Sequence, residues 1–417
     1  MKVLHVCYAD KEGGGAIGAH RLHTSMLSQN VDSTLLVIKK RTYDPTVQRV
    51  PRHIRLANLA GRHLSRFLLQ LQKPADKSYR SLNILPTGIG NYINTLDADI
   101  VQLHWINENT IGIPEFRNIK KPVVWKLPDM WAFSGSEHYP PGNERAEKGY
   151  TKLNRIEGAG GLDIDRLIWK LKKKYWKDLD LTIVSPSKWL ADRARASDLF
   201  RNYPVHNIAN PINLDRYRPA ANIASARKFF RLPVDKKLVL FVSLTRLTDP
   251  RKGFGFLEKC LEEYSKSINP AEYRFVVMGR RIPVPEIGGI EVINLGYLSE
   301  EADIALAYSA ADVLAAPSYA DNLPNTIKES MACGTPCVAF NTGGIPDMIT
   351  HRESGYLCPV DDITEFCNGL QWVLSGKIEK LSIAARDAAI KFHDPENIVK
   401  MYLDLYENIL ANNRGNS

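Results

Sequence analysis

Cysteine is scarce and scattered. The 417 residues hold six, Cys7, Cys260, Cys333, Cys337, Cys358 and Cys367, and no pair has the spacing of a zinc or dithiol redox motif. Cys333 and Cys337 stand four apart, but Gly334 and Pro336 break any helix that would align them. The expectation is a set of small buried thiols in a reducing compartment. Long apolar runs are missing too: none approaches the roughly 18 residues of a membrane-spanning helix. The opening MKVLHVCYAD reaches an acid at Asp10 and lacks the apolar stretch and small-residue site of a signal peptide, so a cytoplasmic location is expected. There is no internal repeat and no low-complexity tract. No Asp/His cluster has metal spacing, so no metal or other cofactor is expected.

What is present is globular: 44% hydrophobic and 24% charged residues, in a chain long enough for two cores. The formal charge of +9 is partly local. Between Pro51 and Lys73, Arg52, Arg55, Arg62, Arg66 and Lys73 interleave with Ile54, Leu56, Leu59, Leu64, Phe67, Leu68 and Leu71, the pattern of a basic amphipathic helix. A second basic and aromatic run, DRLIWKLKKKYWKDL, covers Asp165 to Leu179. Each suits either an anionic membrane surface or an ordinary surface helix with an apolar inner face. Nucleic acid is not expected, because no recognition motif accompanies the charge.

Strand, loop and helix alternate twice. MKVLHVCYA, STLLVIKK, ADIVQLHWIN, KPVVWKL and DLTIVSPS read as buried parallel strands, and AIGAHRLHTSMLSQ as a helix. The segment from Pro128 to Asp163 reads as a long loop, of the kind that is often functional. The rhythm restarts with KKLVLFVSL, YRFVVMG, IEVINLG, ADVLAAPS and TPCVAFN, with helices at EEADIALAYSA and NTIKESMAC. Two such runs predict an α/β chain of two parallel-sheet domains, 1–207 and 208–395. A last helix, 396–417, is expected to pack back on the first domain. Ligands of such sheets bind at the carboxyl ends of the strands.

Four segments carry candidate chemistry. In PSYADNLPNTIKESMACGTPCVAF, Asp321 follows a strand and a helix starts near Asn325 or Thr326. Its first backbone N–H groups and dipole make an anion site, and Glu329, one turn further in, can accept two hydrogen bonds from a ribose diol. The alternative is a capped helix start. In SLTRLTDPRKGFGFLEKCLEE, Arg246, Arg251 and Lys252 stand at a strand-to-helix turn, where positive charge can stabilise a departing diphosphate and Gly253 allows close approach. The alternative is a solvated basic turn. Gly13, Gly14 and Gly15 form a loop after the first strand. The second strand ends in Lys39 and Lys40 without the acid that a dinucleotide site requires, which argues against a nicotinamide cofactor. The fourth segment is LPDMWAFSGSEHYP, with Asp129, His138 and Tyr139, preceded by DIVQLHWIN with His104.

Asp321 and Glu329, with seven residues between them in DNLPNTIKESMACGTPCVAF and followed by NTGGIPDMI and SGYLCPVDD, resemble the donor signature of family 4 of the retaining glycosyltransferases. The loop LPDMWAFSGSEHYP is similar to a subset that builds bacterial exopolysaccharides such as colanic acid. The resemblance spans nearly the whole chain and is strongest from about Leu238 to Asp362. It implies the GT-B fold: two facing Rossmann-like domains with a cleft between them, the acceptor on the first and a nucleotide-diphosphate sugar on the second. It implies that Glu329 holds the ribose, that Asp321 contacts the transferred sugar, and that Leu323, Asn325 and Thr326 cradle sugar and phosphate. Lys252 and Arg246 would meet the diphosphate, which Gly14 and Gly15 face. Asp129 and His138 would serve catalysis. It implies transfer with retention to a glycan or lipid-linked acceptor, the leaving phosphate taking the acceptor proton. The sequence departs from the family's pattern twice: Asp321 replaces the usual Glu, and Pro128 replaces a His near the sugar, with His104 and His138 as candidates to stand in for it. Base contacts are expected from backbone near Gly296, Tyr297 and Leu298. A nucleotide-sugar-binding protein without transfer, a membrane scaffold of the same fold and a sugar-nucleotide epimerase stay open.

Overall fold

A computed structural model describes residues 1–243, 250–376 and 378–415. The chain divides into two compact units, Met1–Pro211 with Glu396–Ser417, and Ile212–Pro395. The division thus falls four residues beyond the expected 207.

In the first unit the strands are β1 (Lys2–Ala9), β2 (Asp32–Lys39), β3 (Val47–Arg49), β4 (Ile100–Leu103), β5 (Val123–Lys126), β6 (Leu181–Ser185) and β7 (Val205–Asn207). They form one seven-stranded sheet in the order β3-β2-β1-β4-β5-β6-β7, and every pairing is parallel. The order reverses between β1 and β4, which opens a crevice at their carboxyl ends. Helix α1 (Gly14–Ser28) follows β1, α2 is Arg52–Leu69 and α3 is Ile164–Trp176. In β1, Val3 to Ala9 are all buried, as a central strand covered on both faces must be.

The second unit repeats the plan. Its strands are β8 (Lys237–Ser243), β9 (Tyr273–Gly279), β10 (Glu286–Ile287), β11 (Ile290–Gly296), β12 (Val313–Ala316), β13 (Cys337–Phe340) and β14 (Gly355–Cys358). Their order is β10-β11-β9-β8-β12-β13-β14, parallel except for the β10–β11 edge. The switch here lies between β8 and β12. Helices α4 (Phe254–Ser265), α5 (Glu301–Ala310), α6 (Asn325–Ala332) and α7 (Ile363–Ser375) flank it. The cysteines are buried except for half-buried Cys367. Two that are distant in sequence meet: Cys260 of α4 and Cys367 of α7 lie 3.4 Å apart, sulfur to sulfur.

The last helix, α8 (Pro395–Gly415), belongs to the first unit. Ile398, Val399, Tyr402, Leu405 and Tyr406 pack with Val3, Leu22, Ile100 and Val184. The Tyr406 hydroxyl donates to Gln102 Oε1 at 2.6 Å, so a buried polar pair fixes the helix on the sheet.

The segment 128–163 is not an open loop. Met130, Trp131, Ala132, Phe133, Ser134, Ser136, Glu137 and His138 are all buried. Lys172 of α3 is fully buried beneath it. Its ammonium donates to the carbonyls of Trp131, of Gly135 at 2.7 Å and of Ser134 at 3.3 Å, and lies 3.8 Å from the Trp131 ring centroid. Asp165, next to the N-terminus of α3, is buried against Arg80, Gln72 and Ser136. The second basic run therefore does not offer its aromatics outward: Ile168, Trp169, Lys172 and Trp176 face the core, and Lys170, Lys173, Lys174 and Lys177 are left on the surface.

Candidate functional sites

In the second unit, the loops after β8, β12 and β13 meet at the switch point. The turn Pro250–Lys252 leads into α4 through Gly253, whose φ of +70° is left-handed. A Cβ on Gly253 would stand 2.0 Å from the Pro317 carbonyl oxygen, so only glycine lets these loops touch. Tyr319 N–H donates to the Arg251 carbonyl at 2.8 Å, which closes the contact. Across it, Lys252 Nζ donates to Asp321 Oδ2 at 2.6 Å. The Asp321 backbone is seated by the third loop: Gly344 N–H donates to its carbonyl at 3.1 Å. Gly343, at φ +59°, would place a Cβ 2.0 Å from the same oxygen. Lys252 and Asp321, 69 residues apart, are thus brought together by three loops.

Helix α6 starts beyond Asp321 with Pro324 at its N-cap, a residue whose side chain can accept nothing from the first turn. Its opening N–H groups are those of Asn325 and Thr326, both half-buried, next to buried Leu323. One turn in, Glu329 is buried and accepts a hydrogen bond on Oε2 from the Tyr308 hydroxyl of α5, at 3.1 Å. Burial, with Glu329 beside it, pushes the Tyr308 phenol well above its ordinary value, so it stays a donor. Nothing in the sequence spacing singles out Tyr308, because it lies 21 residues before Glu329 on another helix. Arg246 lies outside the described residues. Gly296 ends β11 with φ +76°, and Tyr297 beyond it is exposed.

In the first unit, Gly13 has φ +90° and α1 starts at Gly14. Gly15 abuts Trp105: a Cβ there would lie 2.9 Å from the Trp105 Cβ. Trp105, just after β4, lies 6.0 Å from the His138 ring, centroid to centroid. His138 is clamped at both nitrogens, Nδ1 to Asp129 Oδ2 at 2.6 Å and Nε2 to Ser81 Oγ at 3.0 Å. The other Asp129 oxygen accepts the Trp131 N–H at 3.0 Å. An Asp–His–Ser relay of this kind can hold or pass a proton. Sequence reading finds Asp129 and His138 and misses Ser81, which comes from a distant loop.

His104 does not join them. It is buried against His5, Nε2 to Nδ1 at 2.9 Å. Burial drives both imidazoles well below their ordinary value, so both are neutral. His104 is thus a buried, neutral residue held by His5 and not by the Asp129–His138 pair. Behind this pair Lys126 is fully buried, with Nζ 3.3 Å from the Gly18 carbonyl. Burial alone lowers its ammonium to about 7. Among the described residues no group of three or more His, Cys, Asp and Glu could hold a metal ion, and no helix is long and apolar enough to cross a membrane.

Residues 236–376 match the sequence profile of the family described as glycosyl transferases group 1. Two curated relatives are a D-inositol 3-phosphate glycosyltransferase of Xylanimonas cellulosilytica, 30% identical over 51% of this chain and 55% of that protein, and an N-acetyl-α-D-glucosaminyl L-malate synthase of Bacillus anthracis, 28% identical over 28% and 32%. The chain spans about half the length, or less, of the curated relatives it matches. Neither is named for exopolysaccharide synthesis, so the matches carry the group and not the colanic-acid subset. Among solved structures, sucrose-phosphate synthase of Thermosynechococcus elongatus superposes with a TM-score of 0.69 at 16% identity over 99% of this chain and 100% of that one. HepE of Anabaena, solved with UDP-glucose, gives 0.66 at 15% over 98% and 100%. WaaG, a glycosyltransferase of lipopolysaccharide biosynthesis, gives 0.63 at 14% over 96% and 99%. The chain has the GT-B glycosyltransferase fold, and its residues 236–376 carry the pattern of glycosyl transferases group 1.

Proposed function

We propose that this protein transfers a sugar, with retention, from a nucleotide-diphosphate sugar to a glycan or lipid-linked acceptor in bacterial surface polysaccharide synthesis. The observation that carries the reading is the meeting of Lys252 and Asp321 at the β8–β12 switch, next to an α6 whose N-terminus opens on Asn325 and Thr326 and whose Glu329 is fixed by Tyr308. A lysine ammonium has three protons to give, so Lys252 can keep Asp321 and still meet a phosphate oxygen. In this reading it supplies, with Arg246, the charge that a leaving diphosphate needs, and no metal is required. Glu329 takes the ribose diol, the N–H groups of Asn325 and Thr326 take phosphate, and Asp321 stabilises the sugar as it becomes oxocarbenium-like. The leaving phosphate accepts the acceptor proton. Asp129 and His138 shape the acceptor side, with Gly14 and Gly15 at the donor diphosphate. The solved HepE neighbour, with UDP-glucose bound, supports a donor of this class.

Helix α2 supports a lipid-linked acceptor at the inner face of the cytoplasmic membrane. Leu56, Leu59, Phe67 and, just past its end, Leu71 are exposed, and residues 45–75 contain five Arg, one Lys and no Asp or Glu. An apolar stripe with an all-basic border suits an anionic bilayer. The test is turnover: release of nucleoside diphosphate from a panel of nucleotide-sugars in the presence of bacterial lipid extract, with Asp321→Ala as control. Acceptor-dependent release that vanishes in the variant supports transfer. Tight donor binding with no turnover on any acceptor supports the second reading, a donor-binding protein without transfer, which Pro128 in place of a polar residue favours.

A further inference from the structure

Under the inner side of α2 lies a small cavity of about 150 Å³, lined by Leu69 and Leu82 and by polar residues that include Arg62, Ser65, Arg66, Tyr79 and Glu108. At roughly 30 Å³ per water it holds about five waters, room for a phosphate group or part of a sugar ring. Its floor is built with care. Glu108 and Asn109 both have left-handed backbones, at φ +54° and +56°, a conformation that costs an L-residue energy and persists where the surroundings impose it. They are imposed here: Asn83 accepts the Asn109 N–H at 3.0 Å, Asn109 brackets Leu85 N–H and carbonyl at 3.3 and 3.1 Å, and Asn58 donates to the Glu108 carbonyl at 2.7 Å. The strained turn aims the Glu108 carboxylate at Arg62 and at the Tyr79 hydroxyl, which both donate to it.

Among the residues that line the cavity, Arg62, Arg66 and Arg80 face one carboxylate, Glu108. Arg62 is answered by Glu108, and Arg80 by Asp76 and Asp165. Arg66 makes no ion pair within 4.0 Å among the described residues, and its charge acts on Glu108 from further off. It stands exposed at the mouth, and the buried Ser65 hydroxyl beside it has no hydrogen-bond partner. The cavity also adjoins the proposed acceptor side: Ser81 holds His138, and the Tyr79 ring lies 4.9 Å from the His138 ring. Arg62 lies 5.5 Å from the ring of Tyr8, at the carboxyl end of β1.

We propose that this cavity is an acceptor subsite that takes a phosphate group of the acceptor, bound by the Arg66 guanidinium and the Ser65 hydroxyl over a floor fixed by Arg62, Glu108 and Tyr79. A guanidinium offers a bidentate donor pair that matches phosphate oxygens, and a buried hydroxyl adds a directed third donor. Arg66 lies on the border between the cavity and the apolar face of α2. A phosphate seated there would join a lipid anchored outside to a sugar inside. The inference rests on the glycosyltransferase reading for its biological sense, but its test does not.

The experiment is a titration of inorganic phosphate into the full chain carrying Lys252→Ala, which removes one of the proposed donor-site cations, followed by calorimetry. Arg66→Glu in that background is expected to weaken phosphate at least tenfold, and Ser65→Ala a few-fold. Leu56→Ser/Leu59→Ser/Phe67→Ser, which alters only the outer face, is expected to leave phosphate affinity within twofold. UDP affinity of the chain with native Lys252 is measured with and without Arg66→Glu and is expected to be equal. Absence of phosphate binding to the Lys252→Ala protein, or equal binding after Arg66→Glu, overturns the subsite. Absence of UDP binding to the unaltered protein counts against the donor reading and leaves the phosphate comparison standing.

Discussion

Two glycines two residues apart should respond to alanine in opposite directions. At Gly253 the backbone is left-handed, and an added Cβ would lie 2.0 Å from the Pro317 carbonyl oxygen. The conformation costs an L-residue roughly 1–2 kcal/mol. The overlap, with rigid backbone, adds the roughly 1–3 kcal/mol of an overpacked site. Gly253→Ala should therefore cost about 2–5 kcal/mol. At roughly 2–4 °C per kcal/mol for a unit of this size, the drop in melting temperature is about 4 °C or more. Relief of the clash separates the turn bearing Lys252 from the loop bearing Asp321, so UDP affinity should fall at least tenfold. Gly255, on the next turn and inside α4, has open space where its Cβ would be. Gly255→Ala should be neutral or should raise stability by about 0.5–1 kcal/mol, because alanine restricts the unfolded chain and favours the helix. The assay is thermal unfolding of both variants side by side, with and without UDP. Equal melting temperatures and equal UDP response for the two would refute the idea that a glycine-only contact assembles this site.

Tyr308→Phe removes the hydrogen bond that fixes Glu329; donor affinity, measured by calorimetry, should fall three- to tenfold while the fold loses about 1–3 kcal/mol. Lys172→Ala leaves the carbonyls of Trp131, Ser134 and Gly135 without their buried donor; a loss of about 3 kcal/mol or more is expected in urea unfolding, with His138 mobilised in NMR spectra. Lys126 should contribute a gain in stability as pH rises from about 7 toward 10, read as the difference between the native chain and Lys126→Met. Lys126 is deprotonated in the fold above about 7 but keeps its proton in the unfolded chain to its ordinary value of 10.5, so the unfolded state binds more protons across that window. Lys126→Met should remove this contribution. Buried neutral His5 and His104 should add a fall in stability below about pH 6.5, because the unfolded chain then takes up protons that the fold excludes. Sedimentation with anionic vesicles should be lost in the triple serine variant of α2 and kept when the exposed lysines of α3, Lys170, Lys173 and Lys174, are changed to glutamine.

Both sheets were readable because a central parallel strand is apolar on both faces, and few other elements give eight residues such as KVLHVCYA. The proposed donor residues could be named from sequence for a related reason: loops that leave adjacent strands at a switch point carry short contiguous motifs, and Lys252, Asp321 and Glu329 each lie in one. Their pairing did not, since Lys252–Asp321 and Tyr308–Glu329 are tertiary contacts with no periodicity behind them. The region 128–163 misled because Gly, Pro and Ser usually mean solvent. Here a single buried lysine, Lys172, satisfies carbonyls that water would otherwise serve, and so the segment can be core. The same lysine hid the orientation of α3: its five basic residues and its aromatics read as a membrane face only if all of them point outward. His104 illustrates the limit for histidine, whose role depends on which neighbour the sheet supplies, in this case His5 from the adjacent strand.

The most direct test of the account is a thermal-shift panel of UDP-, GDP-, ADP- and TDP-linked sugars and their free nucleotides on the full chain, with Glu329→Ala beside it. A ligand of the folded state at a hundredfold excess over its dissociation constant adds about 2.7 kcal/mol. The account predicts a rise in melting temperature with one nucleotide class, lost in Glu329→Ala. No rise with any of them, or an equal rise in the variant, would contradict a nucleotide-sugar site on the second domain.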